Sequence, residues 1–205
     1  MKSIVLSPKI KIDKFNKINF IIDNDLSKFI GDLDLNILPI LFNQKKKIDF
    51  SNLRSASGLI IAGGGDLYKY KKTKENKIRD DYEKVLFNFF LRKNKPILTI
   101  CRGFQLLVNL NNIKLFKIKN HIRKFHNLKL NKSKFISHSS LNVNSFHKYY
   151  INKLPKNYIN ISTTQDGSIE IAEHKNKKIL CLMFHPERSM GSKKLILKSL
   201  KNFFK

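Results

Sequence analysis

The sequence predicts an α/β fold with a mainly parallel central sheet and helices on both faces. Two observations predict it. Short, mostly apolar runs recur as GLIIA (58–62), PILTI (96–100) and ILCLMF (179–184). Strands covered by helices on both sides read this way, whereas a half-exposed strand alternates. Between the runs lie segments whose apolar residues fall at helical spacing. A length of 205 residues suits one domain. No repeat or long linker divides it, so residues 1–205 read as a single domain.

The elements follow in order. Residues 4–7 (IVLS) read as a strand. Residues 23–31 carry Leu26, Phe29 and Ile30 at helical spacing and are expected to stop at Gly31. Residues 37–42 (ILPILF) contain a proline, which fits an edge strand or the start of a loop. The strand at 58–62 runs into Gly63, Gly64 and Gly65. Residues 78–92 form a helix with Tyr82, Val85, Leu86, Phe89 and Phe90 on one side. A strand at 96–100 leads into a helix at 103–110. Residues 113–145 are polar and strand-like, with several histidines. Strands follow at 159–163, 168–172 and 179–184, the first two joined by a turn at Asp166-Gly167. Residues 192–204 make a terminal amphipathic helix.

Composition excludes several classes. Lys plus Arg number 41 against 15 Asp plus Glu, a net charge of +26. The excess is nearly all lysine, scattered along the chain. No basic tail, RGG run or zinc-finger spacing gathers it, so no specific nucleic-acid partner is expected. A positive surface does speed the arrival of anionic ligands. Two cysteines exclude a disulfide scaffold. The apolar run before Pro8 is too short for a signal peptide. No stretch approaches the roughly 20 apolar residues of a membrane span. The expectation is a cytoplasmic protein without membrane contact. The six histidines are dispersed; the nearest pair, His121 and His126, lie five apart, so no metal is expected.

Chemistry concentrates at two strand ends. The strand 96–100 runs into Cys101-Arg102-Gly103, where a helix begins. A thiol on such a turn projects above the sheet edge beside free helix N–H groups, which favour a thiolate. Taken alone, Cys101 equally fits a small buried core thiol. The strand 179–184 ends in His185-Pro186-Glu187. In extended backbone, residues i and i+2 share a side, so Glu187 can orient the His185 imidazole. Nucleophile, base and orienting acid are then all present. Cys181 lies inside an apolar strand and reads as core.

These segments resemble a known family. GLIIAGGGDLY (58–68), RDDYE (79–83), PILTICRGFQLL (96–107), VNSFHKY (143–149), QDGSIE (165–170) and MFHPER (183–188) are similar, in order, to class I glutamine amidotransferase-like γ-glutamyl hydrolases of the peptidase C26 type. The resemblance implies a flavodoxin-like fold, a γ-glutamyl amide substrate and no cofactor. It implies a Cys101 nucleophile, a His185 base and a Glu187 support. A γ-glutamyl thioester forms and water releases glutamate. The oxyanion hole would use the N–H of Arg102 and an N–H of the loop carrying Gly64 and Gly65. Gln105 would fix the glutamyl group, and the Arg102 side chain would pair with a carboxylate or phosphate. Thr99 stands where the family usually has glycine, which narrows the space beside the thiol.

The N-terminal region and KIKNHIRKFHNLKL (117–130) look more finely like enzymes that cleave γ-glutamyl-CDP-amidate for surface-polysaccharide phosphoramidate. That likeness makes His121, Arg123, His126, His147 and Lys148 the expected diphosphate contacts. The alternative is a glutaminase subunit supplying ammonia to a separate synthetase. A homodimer is the assembly allowed for.

Overall fold

A computed structural model describes residues 2–40 and 50–205. The chain runs β1 (Lys2–Ser7), β2 (Lys9–Ile12), β3 (Ile18–Ile21), α1 (Asn24–Asp32), β4 (Leu35–Pro39), a 3-10 turn (Asn52–Arg54), β5 (Gly58–Ile61), α2 (Lys74–Arg92), β6 (Ile97–Ile100) and α3 (Arg102–Leu110). It continues with β7 (Phe116–Lys117), β8 (Ile122–Lys129), β9 (Ser140–Phe146), β10 (Tyr149–Tyr150), β11 (Tyr158–Thr163), β12 (Ile169–His174), β13 (Ile179–Leu182) and α4 (Lys193–Phe203).

The central sheet has seven strands in the order β11-β12-β13-β6-β5-β1-β4. The five strands β4, β1, β5, β6 and β13 are parallel. Their order is that of flavodoxin-like doubly wound folds, with ligand sites at the carboxyl ends of the strands. β12 and β11 extend the sheet antiparallel. Alternation along each strand builds a core on either side. Ile4, Leu6, Ile60, Leu98, Ile100, Leu180 and Leu182 face α1 and α4. Val5, Leu59, Ile61, Ile97, Ile179 and Cys181 face α2 and α3. The β8–β9 hairpin adds Leu128, Leu141 and Val143 to the first core.

Several expectations are refined. α1 runs through Gly31, and the chain turns instead at Asp34, whose φ is 60°. α2 begins a turn earlier than expected because Thr73 caps it, its side chain accepting from the Asn76 N–H at 3.3 Å. Val85 is exposed rather than buried on that helix. The antiparallel β2–β3 hairpin is an added element. β4 occupies residues 35–39, so the expected strand is real at its start, while residues 41 and 42 lie outside the described residues. Among the described residues no helix is long and apolar enough to cross a membrane.

Candidate active site

Three parallel strands bring the site together at their carboxyl ends. β6 ends at Ile100, and Cys101 follows with φ 47° and ψ −101° as the N-cap of α3. Such a conformation costs a non-glycine residue about 1–3 kcal/mol and persists only where neighbours impose it. Here the Cys101 N–H donates to the Leu182 carbonyl at 2.7 Å, and its carbonyl accepts from the Gln105 N–H at 3.0 Å. Gly103 completes the turn, because a Cβ there would sit 2.5 Å from the Ile61 carbonyl oxygen.

His185 lies just past β13. Its backbone N–H donates to Asn144 Oδ1 at 2.9 Å, and Asn144 Nδ2 donates back to its carbonyl at 2.8 Å. The backbone that carries the ring is thus anchored to β9. The ring Nδ1 lies 2.6 Å from Glu187 Oε1. The expected pairing of carboxylate and imidazole is present, but a turn makes it rather than extended backbone: β13 ends at Leu182, and the Arg188 N–H donates to the His185 carbonyl at 3.1 Å. Burial would push the Cys101 thiol up, but the charge and hydrogen bond of His185 outweigh it and hold the thiol below its ordinary range. Burial likewise opposes the His185 imidazolium, yet Cys101 and Glu187 together raise it to about 9. The pair favours thiolate and imidazolium.

The loop after β5 is held from behind. Arg79 donates to the carbonyls of Ala62 (2.9 Å), Gly63 (3.2 Å) and Gly64 (2.6 Å). In a planar trans peptide the N–H points opposite its carbonyl. Anchoring these three carbonyls on Arg79 therefore turns the N–H groups of Gly63, Gly64 and Gly65 to the other side of the loop. Gly64 and Gly65 take φ values of 82° and 79°, which glycine adopts without strain.

Arg79 Nε pairs with Glu83 Oε1 at 2.8 Å, and Ser7 Oγ donates to the same oxygen at 2.9 Å. Burial and the neighbouring Arg102 lower Arg79 to about 10, which leaves it cationic at neutral pH. Arg102 completes the network by pairing with Glu83 and Asp80. Its side chain is 1% exposed and also donates to the Asp66 carbonyl at 3.3 Å. This corrects the expected Arg102 side-chain contact with substrate, since both ends of its guanidinium are committed to protein carboxylates. Its backbone N–H remains at the start of α3.

A cleft of about 200 Å³ opens over Cys101 and His185. Gly64, Gly65, Gln105, His147 and Lys148 line it, as do Phe146 and Arg188. Gln105 donates to the Tyr149 carbonyl at 3.2 Å. Arg188 sits over the Phe146 ring, 4.5 Å from its centroid. Neither residue was singled out from sequence, although both stand inside the VNSFHKY and MFHPER segments.

Three of the residues expected to contact the diphosphate lie outside the lining of this cleft. His121 is buried behind His147, its Nδ1 3.2 Å from His147 Nε2. His126 lines a separate hollow with Phe125 and Asp166. Arg123 is exposed, at a φ of 56° where the β8–β9 register slips. Thr99 is fully buried, in register with Cys181, and is not among the residues lining the cleft.

Comparison with known proteins bears on this site. Residues 21–187 match the peptidase C26 family. The chain is 35% identical over 164 residues to the gamma-glutamyl-CDP-amidate hydrolase of Campylobacter jejuni, covering 80% of this chain and 78% of that protein. It is 28% identical over 180 residues to the glutamine amidotransferase-like protein YvdE of Lactococcus lactis, covering 75% of this chain and 76% of that one. Its fold resembles the crystal structure of a glutamine amidotransferase from Thermotoga maritima. The TM-score is 0.73 at 16% identity, over 98% of this chain and 96% of that chain.

Proposed function

The chain belongs to the peptidase C26 family, and we propose that it is a cysteine-dependent γ-glutamyl amide hydrolase whose substrate is γ-glutamyl-CDP-amidate. One observation carries the catalytic reading: the Cys101 thiol shares the cleft with an imidazole that hydrogen-bonds it and holds it below its ordinary range, and a carboxylate orients that imidazole at 2.6 Å. Burial alone would do the opposite. The relative of Campylobacter jejuni, aligned over most of both chains, supports the substrate.

The Cys101 thiolate attacks the γ-carbonyl carbon, and the carbonyl π pair moves to oxygen. The oxyanion takes hydrogen bonds from the N–H of Arg102 and from the loop N–H groups that Arg79 turns toward the cleft. The His185 imidazolium gives its proton to the leaving nitrogen as the C–N bond breaks. A γ-glutamyl thioester remains on Cys101. Neutral His185 then takes a proton from water, whose oxygen attacks the thioester; glutamate leaves and the thiolate–imidazolium pair is restored. Glu187 keeps the imidazole oriented throughout. Gln105 faces the glutamyl side of the cleft. Lys148 and Arg188 supply cations for the diphosphate of the leaving group. The net charge of +26 adds a long-range attraction for that anion. The released cytidine diphosphoramidate would feed transfer of phosphoramidate to a surface polysaccharide.

Glutamate release from glutamine, a γ-glutamyl amine and γ-glutamyl-CDP-amidate tests this, with Cys101→Ala as control. The expected result is fast release from the amidate alone, falling at least ~10³-fold in the variant. Slow hydrolysis of glutamine and nothing else would replace this reading with that of a subunit supplying ammonia to a synthetase. Equal rates in wild type and Cys101→Ala would refute the cysteine mechanism.

A further inference from the structure

A second cluster of titratable groups lies behind the cleft wall, outside the catalytic pair. It comprises His121 at the start of β8, His147 between β9 and β10, and Glu170 on β12. All three are buried, Glu170 completely. Their donor atoms lie within 4.8 Å of one another. His121 Nδ1 is 3.2 Å from His147 Nε2, and that nitrogen is 3.3 Å from Glu170 Oε1.

The outer hydrogen bonds fix what faces inward. His147 Nδ1 lies 3.0 Å from the Tyr149 carbonyl, which can only accept, so Nδ1 carries a proton. His121 Nε2 lies 2.7 Å from Asp166 Oδ2, so it too donates. In neutral rings the two inward nitrogens are then both bare lone pairs, 3.2 Å apart and beside a carboxylate. A positive charge must sit among them. One proton on His147 Nε2 can be directed at His121 or at Glu170, but not well at both. Glu170 Oε1 already accepts from Ser168 Oγ at 2.7 Å, while Oε2 is enclosed without a partner.

We infer that His121, His147 and Glu170 form a binding site for one divalent transition-metal ion, zinc being the ion the donor set suits. Two imidazole nitrogens and a carboxylate are zinc ligands. Donors about 2.0–2.1 Å from a tetrahedral zinc stand about 3.3–3.4 Å apart, close to the spacing of the two pairs that His147 Nε2 makes, while the remaining pair, His121 with Glu170, lies within 4.8 Å. The outer partners match as well, since ligating histidines bind a carboxylate or a backbone carbonyl through the other nitrogen. The ion ties the β8–β9 hairpin to β12 and fixes His147 in the cleft wall. Its ligands come from three distant segments, so no short spacing in the sequence reveals it.

Cobalt(II) titration of the chelator-stripped, full-length Cys101→Ala protein tests this with the thiolate removed as a competing ligand. The expected result is saturation at one equivalent, visible d–d bands without a sulfur-to-cobalt charge-transfer band, and displacement by zinc. Glu170→Gln and His121→Ala should each weaken binding by at least about 10-fold. Asp166→Asn, which leaves all three ligands in place and whose residue is half exposed, should weaken it by about 10-fold while circular dichroism shows the fold intact. No saturable uptake by the parent protein, or uptake unchanged in Asp166→Asn and in whichever ligand variants fold, would overturn the inference.

Discussion

The chain holds two free cysteines on neighbouring strands, both buried, and their surroundings drive them in opposite directions. Cys181 lies in the middle of β13, opposite Thr99 of β6 and Ala172 of β12. Burial pushes its thiol up to about 12, so it stays protonated. Cys101 lies one residue beyond the end of β6 and is held below its ordinary range by His185. Depth therefore does not separate the two. What separates them is placement: a residue past the strand end meets a helix N-terminus and the side chains that follow the next strand. A residue within the strand meets only the core.

Breaking the support of Cys101 should produce the largest change. Glu187→Gln should lower kcat/KM for glutamate release by about 10²-fold, since an orienting carboxylate is lost. The pH profile sharpens the same point. In the wild type, activity should fall on the acid side as the lowered Cys101 thiol takes up its proton. It should fall on the alkaline side above about 9, where His185 gives up the proton the leaving nitrogen needs. Glu187 helps to raise His185, so in Glu187→Gln the alkaline limb should move to lower pH. An alkaline limb that stayed in place would show that Glu187 does not act through His185.

A smaller effect comes from crowding the pair. A Cβ on Gly63 would lie 2.6 Å from His185 Cε1 and 3.3 Å from Cys101 Cβ. Gly63→Ala should cost about 10-fold in kcat, because sub-ångström misplacement of reacting groups is expensive. Its melting temperature should change little, since the ring can shift. Gly103→Ala strikes the Ile61 backbone instead, and should show itself as about 1–3 kcal/mol of lost stability in denaturant unfolding. Cys181→Ala should have the least effect on catalysis. Its kcat/KM should stay within about 2-fold of wild type, with about 1 kcal/mol of stability lost to the vacated volume. A large loss of activity there would undo the contrast between the two thiols.

The parts of this arrangement that were legible in the sequence are those fixed by short-range pattern. The runs at 58–61, 97–100 and 179–182 are apolar but for Thr99 and are the buried parallel strands. The strand-to-helix turn at Cys101 followed from local pattern, and the pairing of His185 with Glu187 was found for the wrong geometric reason: the two residues lie in a turn beyond β13, closed by the Arg188 N–H donating to the His185 carbonyl at 3.1 Å, and not in extended backbone. The Arg102 side chain was misread because its partners, Asp80 and Glu83, stand on another helix. Nothing near Arg102 in the chain marks them as its counter-charges. Within α2 the Arg79–Glu83 spacing is a visible i, i+4 pair, but its grip on three loop carbonyls depends on how α2 docks against β5. The β2–β3 hairpin was hidden for a different reason. Its KIKI and INFI strands are half exposed, and the loop between them turns at Asn16 with φ 60° rather than at a glycine.

The central claim is that Cys101, activated by His185, carries the acyl group. Rapid acid quenching of wild-type protein during turnover of γ-glutamyl-CDP-amidate, followed by peptide mass mapping, tests it most directly. The account predicts one γ-glutamyl group, labile to hydroxylamine, on the peptide containing Cys101 and none on that containing Cys181. Glutamate production with no adduct on Cys101, or with the adduct on Cys181, would contradict it.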